Sequence, residues 1–350
     1  MSQVPHGLEN ARVVRLNAEL FPVTDYAHKM CRQAGLNPTE VEANTPGELI
    51  TALADCDAVL VVSSALPTEV VESLCRCRVI SRLGTGTDKI DVESATRNGI
   101  VVTNVPDFCV EEQADHTMTL LLALERRLPQ MSKRMAAGEW RAGRIDSESN
   151  RRLSECVLGL VGFGNSARET AKRARAFGMQ VLATRRNMAA PTQAAEALGV
   201  KMVELDTVLK ESDHVSLHLP LTSETRHLLD ATALAKMKPD AFLINTSRGA
   251  IVDETALAEA LRNRRIAGAG LDTFAQIDLH SSPQSTPDHP LLELDNVILT
   301  PHVAAYSIHA MQHVSREGTQ NLVDVLEGRW PPIDHIVNPS VVPRAPLSDH

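Results

Sequence analysis

Six residues constrain this chain more than any others. Gly162-Phe163-Gly164-Asn165-Ser166-Ala167 fits the pattern G-x-G-x-x-G/A. It follows the apolar run Val157–Val161 and opens a helical stretch that leads to a second run, Gln180–Thr184. In such a strand–turn–helix–strand unit the first glycine allows a tight turn. The second lets a phosphate approach the backbone, and a small residue at the last position keeps the helix close to the sheet. The unpaired N–H groups of the first helical turn then attract an anion. The pattern predicts a dinucleotide-binding fold, with Gly162, Phe163, Gly164, Asn165 and Ser166 around a pyrophosphate.

Short β-branched runs recur on both sides of this unit. Ala11–Leu16, Ala58–Val62, Arg78–Arg82 and Val101–Asn104 precede it; His214–Leu217, Ala241–Asn245, Gly268–Asp272 and Asn296–Thr300 follow it. Helical patterns separate many of them, so the chain reads as α/β with parallel sheets and crossover helices. At 350 residues it is long enough for two cores. Two long helical patterns stand where links between domains belong: Glu111–Gly138, interrupted by Pro129, and Ser307–Gly328. The chain is expected to leave a first domain near Val105 and to return to it near Pro301.

Charge and cysteine usage exclude several function classes. A net charge of −9 argues against general affinity for nucleic acid or an anionic membrane. No apolar segment is long and uncharged enough to span a bilayer. Met1–Asn10 lacks the pattern of a secretory signal. Cys31, Cys56, Cys75, Cys77, Cys109 and Cys156 show no C-x-x-C spacing. They read as reduced thiols of a cytoplasmic protein, with no structural zinc and no metal site.

The second strand ends Thr184-Arg185-Arg186-Asn187. A carboxylate at that place would bind a ribose 2′-hydroxyl. An arginine binds a 2′-phosphate instead and stacks on adenine. NADP(H) is therefore favoured, with NAD(H) still open; the alternative is that both arginines sit on a solvated strand end.

Three further segments carry a family likeness: Arg82-Leu83-Gly84-Thr85-Gly86-Thr87-Asp88-Lys89-Ile90-Asp91, Asn245-Thr246-Ser247-Arg248-Gly249 and Thr300-Pro301-His302. With the glycine turn, and in this order, they resemble the D-isomer-specific 2-hydroxyacid dehydrogenases. Asn104–Cys109, Glu111-Glu112, Ala114-Asp115-His116 and Thr300–Ser307 are most similar to the C-terminal-binding-protein-like and phosphoglycerate-dehydrogenase-like branch. The resemblance implies two Rossmann-like domains: a flavodoxin-like substrate domain of residues 1–105 and 303–350, and an NAD(P)-binding domain of residues 106–302. It also implies a cleft between them, a small 2-oxo or 2-hydroxy acid as substrate, and a homodimer built largely on the linking helix and neighbouring segments of the cofactor domain.

The site residues follow one by one. Reducing a 2-oxo acid needs a cation for its carboxylate and carbonyl, which Arg248 supplies through paired hydrogen bonds. It needs a proton donor near neutral pH, and His302 fits. The family places a glutamate beside that histidine; the gapless equivalent here is Ile277. Asp278, one position on, is expected to replace it, against the alternative of an exposed loop acid and no relay. The resemblance puts Asp272 on the nicotinamide carboxamide and Thr246, Ser247, Leu219 and Pro220 along the cofactor. Thr85 and Gly86 are expected to receive the substrate carboxylate, with Ser64 adding a contact. Tyr306 and the loop Leu279–Pro287 are candidate pocket walls.

Two function classes stand at this point. One is an oxidoreductase interconverting 2-oxo and D-2-hydroxy acids. The other is a dinucleotide-sensing, corepressor-like binding protein with little turnover, which the irregular stretch Ala275–Asp278 favours.

Overall fold

The computed structural model describes residues 8, 10–17, 25–277 and 288–348. The chain divides into two compact units, Met1–Phe108 with Ser307–His350, and Cys109–Tyr306. Each is built on one all-parallel sheet.

Unit 1 begins with β1 (Val13–Leu16), α1 (Asp25–Gln33), β2 (Thr39–Val41), α2 (Pro46–Leu53), β3 (Ala58–Val61), α3 (Thr68–Ser73), β4 (Val79–Arg82), α4 (Val92–Arg97) and β5 (Val101–Thr103). Its sheet has the order β2-β1-β3-β4-β5. Every residue of β1 and β3 is buried, as expected of parallel strands covered on both faces.

Unit 2 contains α5 (Val110–Glu125), α6 (Leu128–Ala136), α7 (Trp140–Ser147), β6 (Val157–Val161), α8 (Asn165–Ala176), β7 (Gln180–Thr184), α9 (Gln193–Ala197) and β8 (Val200–Met202). It continues with α10 (Leu205–Glu211), β9 (His214–Leu217), α11 (Ala231–Leu234), β10 (Phe242–Asn245), α12 (Glu254–Arg262), β11 (Gly268–Leu271) and β12 (Val297–Leu299). The sheet order is β12-β11-β10-β9-β6-β7-β8, so the strand order reverses between β6 and β9. Ligands of open α/β sheets bind beyond the carboxyl ends of the strands at such a reversal. The chain returns to unit 1 with α13 (Ile308–Leu326), where Ser81 Oγ donates to the Gly318 carbonyl at 2.7 Å.

Helix α5 crosses unit 2 antiparallel to its strands, since its first half meets residues that follow β10 and β12 and its last residue meets the start of β9. Gly270 on β11 makes the close approach possible: a Cβ there would lie 3.0 Å from the Leu120 Cβ.

The structure departs from the sequence reading in two places. The single helix expected over Glu111–Gly138 is split: Arg127 takes a left-handed φ of +50°, and Pro129 lies in the first turn of α6 rather than interrupting a helix. The short strands β2 and β8 were not anticipated. Each has three residues at a sheet edge, too few to show a period. Among the described residues no helix is long and apolar enough to cross a membrane, and none of the six cysteines is in a disulfide.

Candidate active site

The glycine turn sits at the reversal. Gly162 has φ +101°, and a Cβ on it would stand 2.2 Å from the His218 carbonyl oxygen that follows β9. Only glycine allows both. Leu219 lies against the same turn. Gly164 precedes α8 without a side-chain cap, and a Cβ on it would meet open space. The first-turn N–H groups of α8 are thus left without a side-chain cap at Gly164, and Ala167 is buried against the sheet. A pyrophosphate fits this cradle.

None of the sequence motifs singles out His218, and the structure gives it a contact at each ring nitrogen. Its Nδ1 lies 3.1 Å from Ser166 Oγ and its Nε2 lies 3.0 Å from Ser216 Oγ. Burial pushes its pKa down to about 4, so the ring is neutral near pH 7 and fixes Ser166 in the first turn of α8. The available signal was His218-Leu219-Pro220 directly after a strand. Phe163 is buried, with the Arg168 guanidinium 5.5 Å from its ring centre. The Pro220 carbonyl accepts from Thr225 Oγ1 at 2.7 Å.

At the end of β7 the Thr184 carbonyl accepts from Gly162 N at 3.0 Å. Arg185 folds back onto its own loop and donates to the Ala190 and Pro191 carbonyls. Arg186 is 87% exposed and pairs with Glu224 at 3.1 Å, a surface bridge of little strength.

The Arg248 turn follows β10. Asn245, buried, binds it from within: its Nδ2 donates to the Arg248 carbonyl at 2.9 Å, and its Oδ1 accepts from Ser247 N and Oγ at 3.0 and 2.9 Å. Arg248 is half-buried and donates from Nη1 to the Ser247 carbonyl at 2.8 Å. A Cβ on Gly249 would sit 2.1 Å from the Phe274 carbonyl carbon, so this turn presses on the strand-following stretch 273–277. Glu254, also buried, ties that stretch down by accepting from Ala275 N at 2.6 Å and Gln276 N at 3.2 Å, with His289 Nε2 3.1 Å away.

The His302 turn follows β12 and closes around Asp272. The carboxylate is buried; Oδ1 accepts from Thr300 Oγ1 at 2.5 Å and Val303 N at 2.9 Å, and Oδ2 accepts from Ala304 N at 2.9 Å. Binding Thr300 and Val303 to one oxygen forces a tight turn between them, and His302 takes φ +57°. A left-handed conformation in a non-glycine residue persists where its surroundings over-determine it. Burial pushes the Asp272 carboxyl above the usual range, against the pull of its hydrogen bonds. The sequence reading placed Asp272 on the nicotinamide carboxamide; in the structure both its oxygens are given to this turn.

Helix α5 meets both turns. Gln113 Nε2 donates to the Thr246 carbonyl at 2.8 Å, and Thr117 Oγ1 lies 3.0 Å from Thr246 Oγ1. His116 Nε2 lies 3.0 Å from Thr300 Oγ1 and 3.5 Å from Asp272 Oδ1. At the other end of α5, Glu125 accepts from His214 Nε2 at 3.0 Å and from Arg151 Nη2 at 2.8 Å. Burial raises its pKa, but these bonds outweigh that and hold it at about 2. Cys156 joins them, its thiol pushed up to about 11 by burial. Ligand-type atoms of Glu125, Cys156 and His214 lie within 4.8 Å of one another, but Arg151 donates to both Glu125 oxygens and makes the group an ion-pair hub.

The predicted residues thus divide among strand ends. Thr184 ends β7, and Gly162–Ser166, Arg185–Arg186, Leu219–Pro220, Thr246–Arg248, Asp272 and His302 all follow strands of unit 2. Ser64, Thr85 and Gly86 lie in unit 1, where Ser64 Oγ accepts from Asn17 Nδ2 at 2.8 Å and Asn104 Nδ2 donates to the Thr85 carbonyl at 2.7 Å. Asp278 and residues 279–287 lie outside the described residues.

The chain is similar to known proteins of one family. Residues 118–304 match the family described as D-isomer specific 2-hydroxyacid dehydrogenase, NAD binding domain. The chain is 36% identical over 305 residues to a glyoxylate reductase of Thermococcus litoralis, covering 86% of this chain and 89% of the relative. A D-lactate dehydrogenase of Aquifex aeolicus, solved with NAD and lactic acid, superposes with a TM-score of 0.81 at 27% identity, over 91% of this chain and 96% of the other. An NADPH-dependent glyoxylate/hydroxypyruvate reductase of Sinorhizobium meliloti, solved with citrate, gives 0.79 at 27% identity, over 95% and 100%.

Proposed function

The chain belongs to the D-isomer specific 2-hydroxyacid dehydrogenase family, and from that premise we propose how its residues divide the work. It is an NAD(P)-dependent oxidoreductase, and the substrate class is a small 2-oxo acid, reduced to its D-2-hydroxy acid. Glyoxylate and hydroxypyruvate, named for its relatives, are the first candidates. A bound nicotinamide dinucleotide supplies the hydride. Gly162, Gly164 and the α8 N-terminus hold its pyrophosphate. Arg185 and Arg186 favour NADP(H), because two cations and no carboxylate directly follow Thr184 in the chain.

Arg248 grips the substrate carboxylate and polarises the carbonyl; His302 delivers the proton to the carbonyl oxygen. Thr85 and Gly86 of unit 1 are assigned as backbone donors to the carboxylate, with Ser64 beside them. Asp278 is assigned to the place that Ile277 leaves empty of charge. The observation that carries the reading is the pair of braced turns after β10 and β12, one presenting a guanidinium and the other an imidazole.

Nicotinamide absorbance with a panel of 2-oxo acids, against NADPH and NADH, tests it. We expect turnover with NADPH preferred, and Arg248→Ala lowering kcat/KM by about 100- to 1,000-fold. A wild-type kcat/KM in Arg248→Ala or His302→Ala would remove the assigned roles. We further propose a homodimer, on the evidence of Leu128, Met135, Trp140 and Ile145, which stand 55–65% exposed on α6 and α7. Sedimentation equilibrium of the wild-type protein checks this; a monomer at micromolar concentration would contradict it.

A further inference from the structure

We propose that one face of α5, made of Gln113, His116 and Thr117, is the positioning element that holds the Arg248 turn and the His302 turn in register, with His116 acting on His302 through Thr300 and Asp272. The inference rests on the catalytic roles assigned above to Arg248 and His302.

Positions three and four apart on a helix lie on one face, so these three side chains point the same way. They reach different strands. Gln113 and Thr117 bind Thr246, two residues before Arg248. His116 binds Thr300, two residues before His302. Thr246 and Thr117 are buried, which makes their pairing geometrically strict.

The His116 arm has a defined polarity. Thr300 Oγ1 donates its one proton to Asp272 Oδ1, so it can only accept from His116. His116 must therefore carry its proton on Nε2. The chain of donors runs His116 to Thr300 to Asp272, and the Asp272 oxygens in turn fix Val303 N and Ala304 N on the far side of His302. The titratable groups so joined are His116, Asp272 and, on the turn itself, His302. Removing the His116 donor leaves the Thr300 hydroxyl held by Asp272 alone and loosens the oxygen shared by both ends of the turn. A catalytic group displaced by about 1 Å loses on the order of 100-fold in rate.

The test compares His116→Leu, which keeps bulk without a donor, with His116→Gln, whose Nε2 can donate to Thr300. We expect His116→Leu to lower kcat by about 10-fold or more with KM for NADPH unchanged. It should also shift the His302 titration, followed by NMR and assigned by difference from His302→Gln. His116→Gln should restore most of both. Gln113→Leu should instead raise KM for the 2-oxo acid, because its arm ends beside Arg248. Equal losses in His116→Leu and His116→Gln would reduce His116 to a packing residue and overturn the proposal. So would a His302 titration unmoved in His116→Leu. A wild-type protein inactive on every 2-oxo acid would defeat the functional reading alone, because the NMR titration still decides whether His116 governs His302.

Discussion

Glu125 and Asp272 are both buried carboxylates that α5 helps to surround, yet they are stabilised in opposite ways. Glu125, at the helix C-terminus, faces a guanidinium and an imidazole and is held near pKa 2. Asp272, beside the helix's first half, is met by a hydroxyl, two amides and His116 at 3.5 Å, and burial leaves its pKa raised. At Glu125 the hydrogen bonds from His214 and Arg151 outweigh desolvation; at Asp272 those of a hydroxyl and two amides do not. The first arrangement locks helix to sheet. The second gives up stability to hold a turn in a strained shape, which is the usual balance at a working site.

The largest expected effect comes from breaking the locked end. Glu125→Leu strips the acceptor from buried His214 Nε2, from Arg151 N and from most of the Arg151 guanidinium, which keeps its longer contacts to Asp213 and Asp240, and should lower unfolding free energy by about 3–5 kcal/mol. Chemical denaturation reads that loss, and kcat of the folded fraction should hold within about twofold, since Glu125 touches neither turn. A comparable fall in kcat would show the two ends of α5 to be one cooperative device and erase the contrast.

A smaller effect sharpens it. Glu125 has a folded pKa below its unfolded one, so its contribution is complete above pH 4.5 and is lost as pH falls towards 2, by about 3 kcal/mol at most. His214 and His218 are also depressed by burial; the unfolded chain takes up protons that the folded one refuses, so stability already declines as pH drops below 6.5. Thermal melts of the wild type should therefore fall from pH 6.5 downward and more steeply below 4.5. In Glu125→Leu the steep limb should flatten. Asp272 contributes with the opposite sign, its ionised form being the disfavoured one, so it does not mimic this acid limb.

Much of the scaffold was legible in the sequence, because it depends on local patterns. Val157–Val161, Gln180–Thr184 and His214–Leu217 are strands with the bounds read from their residues, and the glycine turn lies where its spacing puts it. Arg248 and His302 were singled out because each stands just after a strand in a recognisable motif, and each lies in a turn beyond its strand in the structure. What escaped were pairings across long separations. His116 and Thr300 lie 184 positions apart, and Glu125 and His214 lie 89 apart. No local period encodes such a meeting; the register of β11 with β12 and the seat of α5 on the sheet create it. Asp272 shows the same limit: its position after a strand was visible, but not that the neighbouring turn would take up both its oxygens.

Gly270 then acquires a meaning that its silence in the sequence conceals. It is a thickness gauge. A single methyl on that strand would press on Leu120 and lift the helix by tenths of an ångström. Such a change, hidden in the interior, would be passed one helical turn along to the imidazole of His116. The precision of the chemistry is therefore set partly by an atom that is missing.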